Sequence, residues 1–318
     1  MNLPGERPTA ICVLGMHRSG TSSITRAINL LGAYLGEEEK FRNTSVDNAK
    51  GHWEHPDIYA IQMRLLTQLN RPWDTVMPLP EDWCQSDAVR PFKAELTRFV
   101  TTAFGGRSLW AWKDPRTCLL LPLWREILQE LDTNLLCVFV VRNPLDVASS
   151  LAGRNSLGLN HGLGAWFHHN ITALTDAAGL PTVFLSYERF LEAWEPELRR
   201  CVAGLGLNWP QDEAQLRANL ESFIDPKLRH NQAPPDQLQG LPPPVQELYQ
   251  VLSDACLSST GRDEHFEETV NRLAGEFHAY AALFETAASP PKSGGFSRTW
   301  QRWQRSVRKR MPSAAPAR

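Results

Sequence analysis

Residues 10–22 read AICVLGMHRSGTS, and this stretch decides the fold. The apolar run at residues 10–14 has no polar alternation, which predicts a strand buried on both faces. Apolar residues with helical spacing follow as far as Leu31, and Gly32 is a stop signal, so residues 19–31 are predicted as a helix. A strand, a glycine-containing turn and a helix in this order indicate an α/β layer fold.

Three further apolar runs have the same character. Residues 109–112, 135–141 and 182–185 are predicted as buried strands. A helix is predicted at residues 144–151, because Asn143 is a good N-cap and a proline stands at the first helical position. The alternation predicts a P-loop three-layer fold, with a central parallel sheet flanked by helices and a C-terminal helical extension.

The 318 residues are predicted to form one large domain and a tail. Residues 1–230 are interpreted as the α/β domain. Residues 231–287 are interpreted as its C-terminal helical part, with helices at 245–257 and 265–284. Residues 288–318 are interpreted as a linker followed by a basic tail, because they begin with the composition ASPPKSGG.

The net charge of -2 conceals a strong asymmetry. Residues 290–318 contain eight basic side chains and no acidic one, which leaves 25 basic and 35 acidic side chains, a net of -10, in the rest of the chain. A chain with this balance is not a nucleic-acid-binding polycation, and we expect no nucleic-acid partner. The longest apolar run, at residues 135–141, is far shorter than the about 20 residues that span a membrane.

A cytoplasmic location is the expectation from the sequence. The N-terminus, MNLPGERPTA, lacks the layout of a signal peptide, and the six cysteines form no CxxC pair, which suits buried thiols in a reducing compartment. The tail has an apolar stripe among arginines, which predicts peripheral contact with the inner membrane face or with a protein through residues 296–310. Docking of the tail onto the acidic body, and disorder, are the alternatives. The stripe consists of Phe296, Trp300, Trp303 and Val307.

Residues 15–22, GMHRSGTS, carry the strongest chemical signal. They nearly match the phosphate-binding pattern GxxxxGK[ST], in which glycines allow a tight turn and the helix N-terminus attracts an anion. Thr21 stands where that pattern has lysine, and the cation has moved to Arg18 inside the loop. The loop therefore predicts a phosphate site in which a guanidinium grips the ligand.

The loop resembles that of the P-loop sulfotransferases, which move a sulfuryl group from 3′-phosphoadenosine 5′-phosphosulfate (PAPS) to an acceptor. Their second signature is an Arg that ends a strand with a Ser eight residues later, and Arg142 and Ser150 match it. The resemblance covers about residues 9–230 and implies that Arg142 and Ser150 hold the 3′-phosphate of PAPS. It also implies that the 5′-phosphosulfate is bound by His17, Arg18, Ser19, Gly20, Thr21 and Ser22.

Two weaker matches extend the resemblance. The segment LSYERF, residues 185–190, is similar to one whose Tyr lies near the adenine, which would make Tyr187 a nucleotide contact. The segment PKLRH, residues 226–230, occupies the place of a late basic loop, and Arg229 is its candidate contact to the 3′-phosphate.

The segment LWAWKDPR, residues 109–116, resembles the NKDP segment of tyrosylprotein sulfotransferases. The resemblance implies that Lys113 stabilises the leaving group, with Arg18 assisting, while Asp114 and Arg116 position the lysine or contact the acceptor. No metal site is predicted, because no histidine pair has a convincing ligand spacing. His168 and His169, for example, are adjacent and are expected to serve in packing.

Three residues are candidates for the base that activates the acceptor. Glu54 lies in KGHWEHP, where the neighbouring Trp53 is expected to raise the pKa of the carboxyl towards neutrality. Glu38 lies in LGEEE, at the position of a GEE segment in the tyrosine enzymes. His55 is the third candidate, because imidazole titrates near neutral pH.

The acceptor expected from the resemblance is a hydroxyl group, most naturally of a carbohydrate or glycoconjugate, as in the bacterial-type carbohydrate and tyrosylprotein branch. Trp53, Trp73, Trp83 and Trp166 are candidates for stacking on sugar rings. Two other functions stay open: a P-loop kinase or nucleotide hydrolase, and a non-catalytic nucleotide-binding module that recruits partners through the tail. The missing loop lysine counts against the first.

Overall fold

The computed structural model describes residues 7–37, 41, 51–224, 232–258 and 261–287. Glu38, Arg229 and the tail at residues 288–318 lie outside them. The regular elements, in chain order, are β1 (Thr9–Leu14), α1 (Thr21–Leu30), α2 (Pro56–Gln68), α3 (Arg90–Phe104), β2 (Leu109–Lys113), α4 (Thr117–Glu130), β3 (Asn134–Val141), α5 (Pro144–Asn155), α6 (Leu159–Asp176), β4 (Thr182–Ser186), α7 (Tyr187–Glu192), α8 (Trp194–Gly204), α9 (Glu213–Phe223), α10 (Pro243–Leu257) and α11 (Glu264–Ala287).

The four strands form one sheet with the order β2-β1-β3-β4, and every pairing is parallel. All four predicted strands are confirmed, with boundaries that move by no more than one residue. Helices connect the strands, so the predicted α/β fold with a central parallel sheet between helices is confirmed. In such a sheet all carboxyl ends meet at one edge.

The two faces of the sheet pack into two separate cores, as successive strand residues point to opposite sides. In β1, Ala10, Cys12 and Leu14 contribute to one core, while Ile11 and Val13 contribute to the other. All five side chains are at most 1% exposed. Burial on both faces explains why the strand reads as an unbroken apolar run.

Stacked aromatic rings hold β2 rigidly on one face. The ring of Trp110 stacks on Phe104 with centroids 4.2 Å apart, and the ring of Trp112 stacks on Trp124 at 4.5 Å. These large side chains are at most 2% exposed. The last residue of the strand, Lys113, is therefore carried by a firmly packed backbone.

Local signals define the starts of two helices that border the sheet edge. The side chain of Asn143 caps α5 by accepting a hydrogen bond from the Leu145 amide at 2.9 Å, which confirms the predicted cap. The predicted helix at residues 19–31 begins later, at Thr21, because Gly20 takes a left-handed conformation with a φ of 83°. That conformation ends the loop of residues 15–20, so that the N-terminus of α1 points towards this loop.

The C-terminal helices predicted at residues 245–257 and 265–284 are confirmed as α10 and α11. The chain divides into two compact units, Met1–His278 and Ala279–Arg318. The second unit is described only at residues 279–287, where it forms the end of α11. Within the described ranges, no helix is both long and apolar enough to cross a membrane.

Candidate active site

Site residues that were predicted from the sequence lie at the carboxyl ends of all four strands. The phosphate loop, residues 15–20, follows β1, and Lys113 ends β2. Arg142 follows β3, and Tyr187 follows β4. Because Val13 lies opposite Lys113 in the sheet register, the lysine stands directly beside the start of the loop. The sheet thus brings together four groups that are far apart in sequence.

The loop turns tightly over the sheet edge. Gly15 and Gly20 have φ values of 139° and 83°, and Arg18 has a φ of 70°, which is uncommon for a residue with a Cβ. Such a conformation costs on the order of 1–3 kcal/mol and persists where the surrounding structure enforces it. The Gly15 amide donates to the sulfur of buried Cys118 at 3.2 Å. Sequence reasoning missed this anchor, since thiols are weak acceptors without a motif of their own.

The ring of Tyr187 packs against the loop at Gly20. A Cβ added at Gly20 would lie 2.1 Å from Cδ2 of this ring, so only glycine fits there. The ring is 6% exposed, and the Arg142 guanidinium carbon lies 5.0 Å from its centroid. Tyr187, predicted as an adenine contact, therefore packs against both the loop and the arginine that follows β3.

Arg18, Arg142 and Ser150 form one hydrogen-bonded cluster. The Arg18 Nε donates to Ser150 Oγ at 2.8 Å, and the Arg142 Nη1 donates to the Arg18 carbonyl oxygen at 2.7 Å. The resemblance assigns Arg18 to the 5′-phosphosulfate and the other two to the 3′-phosphate. The structure joins all three, which links the two predicted phosphate positions through Arg18.

Asp146 is a component that sequence reasoning missed. It is 1% exposed, its Oδ2 lies 3.8 Å from Arg142 Nη2, and its Oδ1 accepts a hydrogen bond from the Ala233 amide at 2.7 Å. The carboxylate therefore ties α5 to the chain that follows residues 225–231. Its place one helical turn after Arg142 was the only signal in the sequence.

A second cluster surrounds the end of β2. The Lys113 ammonium donates to Glu54 Oε1 at 2.7 Å and to Ser22 Oγ at 3.3 Å. The side chains of Lys113 and Glu54 are 2% and 17% exposed. Ser22 in turn donates to the His52 carbonyl oxygen at 2.9 Å, which holds the segment carrying Glu54 against the phosphate loop.

Arg116 extends this cluster on the far side of Glu54. Its Nη1 lies 2.7 Å from Asp114 Oδ1 and 3.9 Å from Glu54 Oε2. Its guanidinium carbon lies 4.5 Å from the ring centroid of Tyr59, whose side chain is partly exposed. Glu54 is thus held between two cations, and Asp114 orients the second of them.

The expectation that Trp53 raises the pKa of Glu54 is wrong. Burial does raise the pKa, but the charges of Lys113 and Arg116 outweigh it and hold the pKa of Glu54 below its ordinary value. Trp53 itself packs elsewhere, with the Arg26 guanidinium carbon 4.6 Å from its ring centroid. At neutral pH the Glu54 carboxyl is therefore ionised.

The other two base candidates differ from Glu54. His55 is 5% exposed, its Nδ1 accepts a hydrogen bond from the Asp57 amide at 3.3 Å, and its ring packs on Phe99 with centroids 4.6 Å apart. This side chain caps α2 and fills space between aromatic rings. Glu38 lies outside the described residues. Of the two described candidates, Glu54 is the one hydrogen-bonded to Lys113.

His17 and Ser19 offer polar atoms inside the loop. His17 Nε2 and Ser19 Oγ are buried and have no hydrogen-bond partner within the described part of the chain. Burial, and then the charge of Arg116, hold the pKa of His17 well below its ordinary value, so its imidazole is neutral. Two unmatched polar atoms in a loop at a helix N-terminus suit a phosphate ligand.

Among the described residues, no three His, Cys, Asp or Glu side chains are grouped so that they could hold a metal ion. His168 and His169 are fully buried, and their Nδ1 atoms lie 2.8 Å and 2.9 Å from backbone carbonyl oxygens. Trp166 is 1% exposed, so its predicted role in stacking on sugar rings is wrong.

Comparisons with known proteins give structural likenesses only. No family model and no curated protein matches the chain. A sulfotransferase domain from the curacin biosynthetic pathway matches at 16% identity and a TM-score of 0.40, covering 78% of this chain and 98% of that one. A sulfotransferase domain from the Synechococcus PCC 7002 olefin synthase matches at 16% identity and a TM-score of 0.38, covering 92% and 99%. Sulfotransferase STF9 from Mycobacterium avium matches at 15% identity and a TM-score of 0.43, covering 79% and 77%. Likenesses at this level do not establish a family.

Proposed function

We propose that the protein transfers a sulfuryl group from PAPS to a hydroxyl acceptor. The observation that carries the proposal is the ion pair of buried Lys113 and part-buried Glu54, 2.7 Å apart, directly beside the phosphate loop. A cation for the leaving group and a carboxylate for the acceptor proton are the two groups that this reaction requires.

The fit of the donor is supported by the loop itself. The buried Ser19 hydroxyl and His17 Nε2, together with the N-terminus of α1, suit the 5′-phosphosulfate. Arg142 and Ser150 suit the 3′-phosphate, and Arg18 bridges the two positions through its bonds to both residues. Bound there, PAPS supplies an activated sulfuryl group.

The chemical step is an in-line displacement at sulfur. Glu54 takes the proton of the acceptor hydroxyl while the acceptor oxygen forms a bond to sulfur. The bond between sulfur and the 5′-phosphate oxygen breaks, and its electron pair goes to that oxygen, which Lys113 stabilises. The products are the sulfated acceptor and 3′,5′-ADP. A positioned base contributes about 10²–10⁴-fold to the rate.

The acceptor that we propose is a hydroxyl of a carbohydrate or glycoconjugate. Aromatic rings that are not fully buried surround the candidate site: Trp73 packs on His17 with centroids 4.6 Å apart, and Tyr59, 39% exposed, lies beneath Arg116. Such rings suit stacking on the apolar face of a sugar. A panel of mono- and disaccharides with labelled PAPS tests this choice.

Calorimetric titration with 3′,5′-ADP, 5′-AMP and ATP tests the function as a whole. We expect 3′,5′-ADP to bind most tightly, because 5′-AMP lacks the 3′-phosphate and ATP places its extra phosphates elsewhere. A preference for ATP would instead indicate a kinase or nucleotide hydrolase. Binding of 3′,5′-ADP without sulfuryl transfer to any acceptor would indicate a non-catalytic module, and no binding would overturn the proposal.

A further inference from the structure

The proposed base and the proposed leaving-group cation are bonded to each other. Lys113 Nζ donates to Glu54 Oε1 at 2.7 Å, although the chemistry needs both groups for other partners. A carboxylate that already accepts from an ammonium is a poor acceptor for a hydroxyl proton, since the ion pair stabilises its ionised form. The pair, as it stands, therefore restrains the base.

Lys113 is also within reach of the phosphate loop. The same nitrogen that bonds Glu54 lies 3.3 Å from the hydroxyl of Ser22, the residue that ends the loop motif. The ammonium carries a single positive charge, so an anion bound in the loop competes with Glu54 for it. β2 is packed in place by Trp110 and Trp112, so a movement of Lys113 from the carboxylate to a phosphate oxygen is a movement of its side chain.

Arg116 and Asp114 stay close to Glu54 when Lys113 moves away. Arg116 stays at 3.9 Å, and Asp114 holds it at 2.7 Å, so one cation persists beside the carboxylate. Burial is the largest influence on the Glu54 pKa and acts upward. Among the described residues, the charged and titratable groups at Glu54 are Lys113 at the end of β2, Arg116 just before α4 and His52 in its own segment; Asp114 and Tyr59 contact Arg116, and His55 follows Glu54 in the chain.

We propose that donor binding draws Lys113 from Glu54 to the 5′-phosphate, and that this exchange activates Glu54 as the base. The inference rests on the proposed function and adds an order of events to it. Before the donor binds, the positive charge of Lys113 balances the negative charge of Glu54, and the ion pair keeps the carboxylate from acting as a base. Afterwards it is a buried carboxylate beside Arg116 alone, with a higher proton affinity. Arg116 acts as a positioning residue that keeps the carboxylate oriented.

The exchange has a measurable consequence in proton uptake. When 3′,5′-ADP binds, its 5′-phosphate takes Lys113, and the proton affinity of Glu54 rises. Binding is then linked to uptake of a fraction of a proton. Calorimetry of 3′,5′-ADP binding in buffers of different ionisation enthalpy, between about pH 5 and 8, measures that fraction. The protons bound by the ligand itself cancel when variants are compared.

We expect the wild type to take up more protons than Glu54→Gln, by an amount that grows towards low pH. In Lys113→Met the pair is already broken, so a further Glu54→Gln change leaves the uptake unaltered. Lys93→Met is the matched control, because Lys93 of α3 also pairs with carboxylates, those of Glu126 and Glu130 on α4. We expect this variant to take up as many protons as the wild type.

Infrared difference spectra of the wild type give a readout that does not depend on a variant folding. At low pH, 3′,5′-ADP should increase the absorbance of a protonated carboxyl. Tight binding with equal uptake in wild type and Glu54→Gln, or with no carboxyl signal, overturns the exchange and leaves the proposed function standing. Failure of 3′,5′-ADP to bind overturns both.

Discussion

Two lysines in this protein make nearly the same ion pair in two different places. Lys113 lies 2.7 Å from Glu54 at the carboxyl edge of the sheet, and Lys93 of α3 lies 2.7 Å from Glu126 of α4. The first lysine side chain is 2% exposed and the second 24%. A pair near the surface contributes about 0–1 kcal/mol, whereas removing the partner of a fully buried lysine leaves an uncompensated charge.

The same contrast holds for the arginines. Arg142 packs on Tyr187 near Asp146 with 8% of its side chain exposed, while Arg199 packs on Trp209 and pairs with acids at 41% exposure. Both arginines pack on an aromatic ring, but Arg142 lies 3.8 Å from one aspartate and donates to the Arg18 carbonyl oxygen, whereas Arg199 pairs with two glutamates at 3.0 Å and 2.9 Å. The charges that we propose to hold the ligand are thus more deeply buried than the charges with which they are compared.

The largest effect is expected from the two lysines. Lys113→Met should lower sulfuryl transfer by about 10²–10³-fold, because it removes the cation that stabilises the leaving oxygen. Lys93→Met should leave the rate within about twofold, since exposed pairs contribute little. The measurement is 3′,5′-ADP released from PAPS with saccharide acceptors, after circular dichroism has verified folding. Equal rates in the two variants would remove the distinction between the regions.

The strands, the loop and the helices at the proposed donor site were predictable from sequence because their signals are local. The run at residues 10–14, the loop at residues 15–22, and the spacing from Arg142 to Ser150 each lie within one strand-to-helix unit. The sheet order then follows from packing rather than from any motif. Helix α4 was not predicted, since it contains Pro122 and nine of its fourteen residues are buried.

The chemistry of the base could not be predicted, because it depends on long-range contacts. Glu54 and Lys113 are 59 residues apart, and Arg18 and Ser150 are 132 apart. Sequence reasoning took the neighbour in the chain, Trp53, as the determinant of the Glu54 pKa and obtained the wrong direction. Only the fold shows that two cations face the carboxylate.

The two arginines provide the next contrast. Arg142→Ala should weaken binding of 3′,5′-ADP by about 10–100-fold, the value of one or two charge-assisted hydrogen bonds, while 5′-AMP binding changes far less. Arg199→Ala should leave both affinities unchanged. Calorimetry with the two nucleotides measures the ratio. If Arg142→Ala weakens them equally, the 3′-phosphate lies elsewhere.

Two glycines separate backbone strain from the shape of the site. Gly20 and Gly32 have φ values of 83° and 109°, so alanine should cost about 1–2 kcal/mol of unfolding free energy at either position. At Gly20 the new Cβ also meets Tyr187 at 2.1 Å, whereas at Gly32 nothing lies within 4 Å. We expect Gly20→Ala alone to weaken 3′,5′-ADP binding, by about tenfold or more. Urea denaturation serves as the stability control. Equal affinities of the two variants for 3′,5′-ADP would mean that the contact between residue 20 and the Tyr187 ring does not shape the nucleotide site.

The histidines give the smallest effect and extend the contrast to stability. Burial lowers the pKa of His168 to about 4, while His161 is exposed. Between the ordinary value of about 6.5 and about 4, the unfolded chain binds a proton that folded His168 does not, so stability falls as the pH falls through that window. The expected slope is about 1.4 kcal/mol per pH unit. In urea denaturation from pH 7 to 4.5, His168→Asn should reduce this slope by that amount relative to the wild type. An unchanged slope in His168→Asn would mean that burial does not keep this imidazole neutral.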